Sequence, residues 1–273
     1  MTTQQTAQRS IIKKYRKPIW NRFIGALKEY KMLEAGDRVA VCISGGKDSM
    51  LLAMCMQELE NHDSEVPFRT EFLVMDPGYA PENRKKIEEN ATALGIPIHI
   101  FDSPVFNVVD KQTAGAPCYL CARMRRGYLY KYAKDLGCNK IALGHHFDDV
   151  IETTLMSMLY GAEMRTMMPK LHSTHFEGMQ LIRPLYFVRE ADILAWQRYN
   201  GLSFIRCACR MTAGLAEDTM QSKRQEVKRL IAALRRENPQ VDSNIFRSAD
   251  NVNLETIRSW HKGDATYDFL DEY

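Results

Sequence analysis

Six consecutive residues, Ser44-Gly45-Gly46-Lys47-Asp48-Ser49, combine the parts of a phosphate-binding turn. Adjacent glycines let a backbone turn tightly and approach an anion closely. A helix that begins near Asp48 presents unpaired N–H groups and the positive end of its dipole to that anion. Ser44 and Ser49 add hydroxyls, and Lys47 adds a cation. The spacing is not that of the common P-loop, where four residues separate the first glycine from the Gly-Lys-Ser/Thr end. Here the two glycines are neighbours and Asp48 follows the lysine, which argues against γ-phosphate transfer of the kinase or motor type. A glycine turn capped by Asp and Ser would serve structure alone. Against that plain alternative, all six positions suit an anion held at a strand–helix junction.

A second group, GHHFDD, runs from Gly144 to Asp149. Asp148 and Asp149 are good helix caps, which is its simplest role. Its chemical role would be to hold Mg²⁺ on one of these carboxylates, since hard oxygen ligands suit that ion. Gly144 and His145 would then lie near the α-phosphate of a nucleotide. Asp76, after the run TEFLVMD, is a third candidate, placed to line an adenosine pocket.

Seven cysteines are present, and an odd number in a chain that opens MTTQQTAQRS, without an apolar leader, argues against a disulfide framework. Cys118 and Cys121 form a CxxC that opens a helix, and Cys207 and Cys209 form a CxC further on. Thiolates at a helix start have lowered pKa and ligate metals well. Three arrangements compete. A four-cysteine zinc site would use both pairs, although Cys207–Cys209 is short for a zinc knuckle. A redox disulfide would join Cys118 to Cys121, with Cys207 as a persulfide carrier. A [4Fe-4S] cluster on Cys118, Cys121 and Cys207 would lack the usual fourth thiolate and leave one iron open. Spacing does not choose among them. Cys42, Cys55 and Cys138 sit in apolar contexts and read as packing. So do Met156, Met158, Met164, Met167 and Met168.

The elements that must position these groups follow from periodicity. Short apolar runs at Arg38–Ser44, Thr70–Asp76, Ile96–Phe101, Lys140–Gly144 and Met179–Pro184 read as strands. Helical patterns lie between them at Met50–Glu60, Pro81–Leu94, Tyr119–Leu136 and Asp148–Tyr160, with more at Glu190–Tyr199 and Glu217–Glu237. This alternation predicts an α/β fold, doubly wound around a mainly parallel sheet of about five strands. Ligands in such sheets bind beyond the carboxyl ends of the strands, where these motifs fall. A basic amphipathic helix is expected over Arg9–Leu33, with Pro18 as a kink, and Asn238–Tyr273 reads as a polar tail packed on the domain. The organisation is therefore an N-terminal basic segment (1–36), a catalytic domain (37–216) and a C-terminal helix and tail (217–273). The net charge of +3 does not require a nucleic-acid partner. Yet Arg123, Arg125 and Arg126, and the stretch Lys223–Arg236, could neutralise phosphates. No apolar run reaches the roughly 18 residues of a membrane span, so a cytoplasmic location without a membrane partner is expected.

SGGKDS resembles the signature of the PP-loop ATP pyrophosphatases. With PCYLCARMRRGYLY, KIALGHHFDDVIETTLMSMLYGAEM, MPKL, IRPLYFVRE and the pair at Cys207, the chain looks like the tRNA 2-thiocytidine synthetase family within that group. The resemblance spans about Arg9 to Arg224. It implies that ATP adenylates the C2 oxygen of a cytidine in the tRNA anticodon loop, at position 32. Sulfur carried by a [4Fe-4S] cluster then replaces that oxygen. Ser44, Gly45, Gly46, Lys47, Asp48 and Ser49 would hold the phosphates. Lys47, Asp48, Asp149 and Cys207 would be catalytic, and Cys118, Cys121 and Cys207 would hold the cluster. ATP, Mg²⁺ and the cluster are the implied cofactors. The implied partners are tRNA and a cysteine desulfurase or other sulfur donor, in an assembly that could include a homodimer. The family pattern has CxxC where this chain has CxC, which leaves open whether Cys209 is idle, replaces Cys207 or closes the fourth iron. Thiouridine synthetases carry extra CxxC or CxxH zinc pairs that do not occur here. Rival readings are thiolation of another base such as uridine, and a non-catalytic iron–sulfur sensor of nucleotide or RNA.

Overall fold

In a computed structural model, residues 2–62, 66–105, 117–205, 220–271 and 273 are described; the side chains of 117–123 and 220–222 lie outside the described residues. The chain divides into two compact units. The first comprises Met1–Val150 with Met167–Ser222, and the second Ile151–Thr166 with Lys223–Tyr273.

The first unit opens with α1 (Thr3–Ile12), a π-turn (Arg16–Trp20) and α2 (Asn21–Glu29). The expected kink is this π-turn, which encloses Pro18. Proline has no N–H to donate, so the regular α-ladder cannot run through it. Then β1 (Arg38–Ile43), α3 (Lys47–Asn61), β2 (Arg69–Asp76), α4 (Pro81–Leu94) and β3 (Ile98–Asp102) alternate as expected. They are followed by α5 (Pro117–Asp135), β4 (Lys140–Ala142), the start of α6 (Phe147–Gly161, which from Ile151 belongs to the second unit), β5 (Lys170–His172), β6 (Gln180–Ile182) and α7 (Glu190–Tyr199).

The sheet has six strands in the order β3-β2-β1-β4-β6-β5. All neighbours are parallel except β5, which runs antiparallel to β6 at the edge. Val39 to Ile43 and Phe72 to Asp76 are buried throughout, as expected of central parallel strands covered on both faces. Helix α3 is buried from Ser49 to Met56. Strand order reverses between β1 and β4, and the loops that leave their ends carry Ser44 and Gly144. A crevice for ligand therefore lies there.

At the opposite end of the sheet, Lys140 Nζ pairs with Asp37 Oδ2 at 2.6 Å and donates to the Met32 carbonyl at 3.1 Å. Asn139 Nδ2 donates to the second Asp37 oxygen at 2.7 Å.

In the second unit α8 (Met220–Glu237) and α9 (Val241–Ser248) precede a hairpin, β7 (Ser259–Lys262) and β8 (Ala265–Asp268). Buried Glu152 pairs with Arg224 and Lys228 of α8 at 3.5 and 3.6 Å. In the hairpin Trp260 stacks on Tyr267 at 5.3 Å between centroids. Among the described residues no helix is long and apolar enough to cross a membrane.

Candidate active site

The glycine turn is shaped by what surrounds it. Gly45 sits at φ +82°, and a Cβ there would lie 2.5 Å from Ile87 Cγ1 and 2.7 Å from Ile205 Cδ1. Only glycine meets both demands. Helix α3 begins at Lys47, and its N-cap, Gly46, provides no side-chain hydrogen bond. The amides of its first turn are therefore left to an external acceptor. The two serines brace the turn. Ser49 Oγ donates to the Gly46 carbonyl at 2.9 Å and accepts from the Ser44 N–H at 3.2 Å. Lys47 Nζ reaches Asp48 Oδ2 at 3.0 Å and Glu190 Oε1 at 3.1 Å. Burial alone would lower the Lys47 pKa, but the two carboxylates more than offset it, and the ammonium sits above its ordinary value.

The second half closes against this turn at one point. A Cβ on Gly144 would stand 3.0 Å from Ser49 N and 3.1 Å from the Asp48 carbonyl carbon. Glycine at 144 thus allows the end of β4 to abut the first turn of α3. Beyond it, α6 begins with a reciprocal cap. The His146 N–H donates to Asp149 Oδ2 at 3.0 Å, and the Asp149 N–H donates to His146 Nδ1 at 3.4 Å. The other ring nitrogen, Nε2, faces Asp48 Oδ1 at 3.8 Å. Buried His146 thus stands between the carboxylates of the two motifs. Asp48 Oδ1 is itself buried and has no hydrogen-bond partner among the described residues. Asp148 Oδ2 accepts the Glu190 N–H at 2.7 Å, which secures the start of α7.

Part of this arrangement lines a cavity of about 580 Å³; Gly46 and Lys47 line a neighbouring pocket that shares Asp48. Ser44, Asp48, Ser49, Gly144, His145 and Asp149 line the first of these, together with Arg125, Arg126 and Leu129 of α5 and with Arg183. Arg183 follows β6 directly, and its Nη1 donates to the Met168 carbonyl. Burial pulls its pKa down from the usual arginine value. Two carboxylates at one cavity, one with an orphaned buried oxygen, fit a Mg²⁺ ion that also touches phosphate oxygens.

Asp76 is not among the residues lining that cavity. Its Oδ1 accepts the N–H groups of Gly78 and Tyr79 at 2.8 and 2.7 Å, and its Oδ2 pairs with Arg84 at 2.9 Å. It closes the turn after β2. Three residues that belong to the quoted motifs but were not among the expected site residues stand at or beside the site: His146, Arg183 and Glu190. The fold, not the motif, gives each its neighbours.

Cys118 and Cys121 are the second and fifth residues of α5. The same helix contributes Arg125 and Arg126 to the cavity lining. The side chains of Cys118 and Cys121, and all of Cys207 and Cys209, lie outside the described residues. Ile205, two positions before Cys207, packs over Gly45. Among the described residues no three His, Cys, Asp or Glu side chains form a metal site. Cys42, Cys55 and Cys138 are buried free thiols. Burial pushes Cys42 up to about 12 and Cys138 up to about 11, and raises Cys55 as well.

Residues 16–209 match the family of PP-loop domains. The tRNA-cytidine(32) 2-sulfurtransferase of Coxiella burnetii (strain RSA 493 / Nine Mile phase I) is 38% identical over 229 residues, covering 83% of this chain and 86% of that protein. The Bordetella pertussis protein of the same name is 36% identical over 235 residues, covering 83% of this chain and 69% of that one. Among solved structures, the U34-tRNA thiolase NcsA from Methanococcus maripaludis with its [4Fe-4S] cluster matches with a TM-score of 0.66 at 20% identity. The match covers 84% of this chain and 76% of that one. That likeness carries the fold.

Proposed function

The chain belongs to the PP-loop family and, within it, to the tRNA-cytidine(32) 2-sulfurtransferases, and on that premise we propose that it thiolates C2 of a cytidine in the tRNA anticodon loop at the expense of ATP. One observation carries the reading. The open first turn of α3 and the carboxylates at the start of α6 meet across Gly144 at the point where strand order reverses.

The chemistry needs both halves. A pyrimidine carbonyl oxygen is a poor leaving group until it is phosphorylated. The cytosine O2 attacks the α-phosphorus of ATP, the bond from that phosphorus to its bridging oxygen breaks, and pyrophosphate departs. The amides at the start of α3 and the Lys47 ammonium take up its charge. Asp48 and Asp149 would hold Mg²⁺ against the same phosphates. His146, lodged between the two carboxylates, fixes their separation. A sulfur nucleophile then attacks C2, the C2–O bond breaks, and AMP leaves. A [4Fe-4S] cluster on Cys118, Cys121 and Cys207 would present that sulfur. The packing of Ile205 over Gly45 supports a cysteine segment that returns to the ATP site. Sulfur would come from a cysteine desulfurase or another donor, in the cytoplasm.

Nucleoside mass spectrometry of tRNA from a deletion strain tests the function. The expected result is loss of one 2-thiocytidine and its return on complementation. If every thiolated nucleoside persists, the reading fails. Cys118→Ala should abolish iron–sulfur absorbance while ATP binding remains.

A further inference from the structure

Arg183 has an unexplained position. It is 9% exposed, yet it is a guanidinium at the wall of the cavity. Its Nη1 donates to the Met168 carbonyl, which fixes the plane of the group. Its Nε is buried and has no hydrogen-bond partner among the described residues. Nε and Nη2 form the edge with which arginine grips a phosphate or carboxylate through two parallel N–H bonds. A structural bond to one carbonyl does not need that edge, and a neutral donor could satisfy Met168 equally well.

The charge balance points the same way. The cavity is lined by three arginines, Arg125, Arg126 and Arg183, and two aspartates, Asp48 and Asp149. Asp48 already has Lys47 at 3.0 Å. That leaves three guanidinium cations facing Asp149 as the remaining carboxylate, a positive excess that a bound anion would offset. Arg183 feels the attraction of Asp149 and the repulsion of Arg126, and an anion shared by the two guanidinium groups would turn their repulsion into joint binding.

We propose that Arg183, seconded by Arg126, seats a phosphodiester-class phosphate oxygen in the cavity that the end of the glycine turn also lines. The site rests on the ATP-and-tRNA reading above. The phosphate has two sources of the same chemistry: the α-phosphate that joins ribose to the activated base, or a backbone phosphate beside the target nucleotide. Pyrophosphate belongs to the α3 turn and serves as the internal control.

The test uses the full-length protein and its Arg183→Lys, Arg183→Gln and Arg126→Gln variants, with folding checked by thermal melts. Affinities are measured for AMP, for pyrophosphate, and for tRNA across a salt series. A charge-assisted pair is worth enough to weaken binding by about 10- to 100-fold when it is lost. If AMP binding falls by that factor while pyrophosphate binding holds, the seat is for the α-phosphate. If AMP binding holds while tRNA binding falls and its salt slope drops by about one, the seat is for the RNA backbone. Unchanged affinities in folded Arg183 variants overturn the proposal. So does unfolding of both Arg183 variants together with unchanged affinities in Arg126→Gln, since Arg183 would then be only a strut. A wild-type protein that binds neither ATP nor tRNA defeats the functional reading itself, a separate result.

Discussion

Two helices begin at the edge of the same cavity, yet they end their backbones in opposite ways. The first turn of α3 follows two glycines and has no side-chain cap. Its amides and dipole are available to an anion. The first turn of α6 closes on itself through His146 and Asp149, and Asp148 is committed to the Glu190 amide. What that end offers the cavity is carboxylate, not N–H. A helix start is therefore not a phosphate site by virtue of being a helix start. The residues at its first four positions decide whether the dipole serves a ligand or the protein's own side chains. Set face to face, the open end suits phosphate oxygens and the closed end suits the cation that accompanies them.

This contrast can be broken in order of severity. Lys47→Ala should be the most damaging to turnover, lowering kcat by roughly 10²- to 10³-fold, as expected for loss of a donor to developing charge. Single-turnover thiolation assays would show it, and tRNA affinity should stay near wild type. Gly144→Ala attacks the joint between the two starts. With its new methyl 3.0 Å from the Ser49 amide nitrogen, the backbone of one half must move. The expected cost is about 1–3 kcal/mol in chemical denaturation, with a roughly ten-fold loss of ATP affinity by calorimetry. A variant with wild-type values on both measures would mean that the halves are not held at this point. His146→Ala removes the closed end's cap and should cost about 0.5–2 kcal/mol. It should also raise the Mg²⁺ concentration needed for half-maximal ATP binding, whereas a purely structural cap would change only the melting curve. The smallest effect is expected at Cys42→Ala. Burial holds that thiol at about 12, so almost no thiolate exists at neutral pH and reagents such as iodoacetamide should not modify it in the folded protein. Iron–sulfur absorbance should be unchanged.

Much of this arrangement is legible from residue order. The β-branched run before Ser44 and the glycine pair after it are local features, and local features survive into the fold. Gly144 was legible as part of a motif, but its use was not: it makes room for another segment's backbone, and no single-segment pattern encodes that. His146 and Arg183 escaped for a related reason: the contact of His146 with Asp48 and the place of Arg183 at the cavity wall depend on separate segments. β5 was missed because three residues, one of them apolar, give no periodicity. The tail at 238–273 contains α9 and the β7–β8 hairpin, where only polarity was read. The Gly263-Asp264 pair, with Gly263 at φ +63°, is a hairpin turn signal that could have been used. Met158, Met164 and Met168 were expected to pack, yet they are 49%, 66% and 49% exposed. Composition cannot distinguish a methionine that fills a core from one that faces outward.

The fastening between Lys140 and Asp37 has a consequence for how such a protein can diversify. It lies at the end of the sheet away from the cavity, and both side chains are almost wholly enclosed. Removing one partner of such a pair typically costs about 3–5 kcal/mol, so the frame is held tight where no substrate comes. The loops at the other rim can then exchange residues, and with them the choice of nucleotide, without each change endangering the fold.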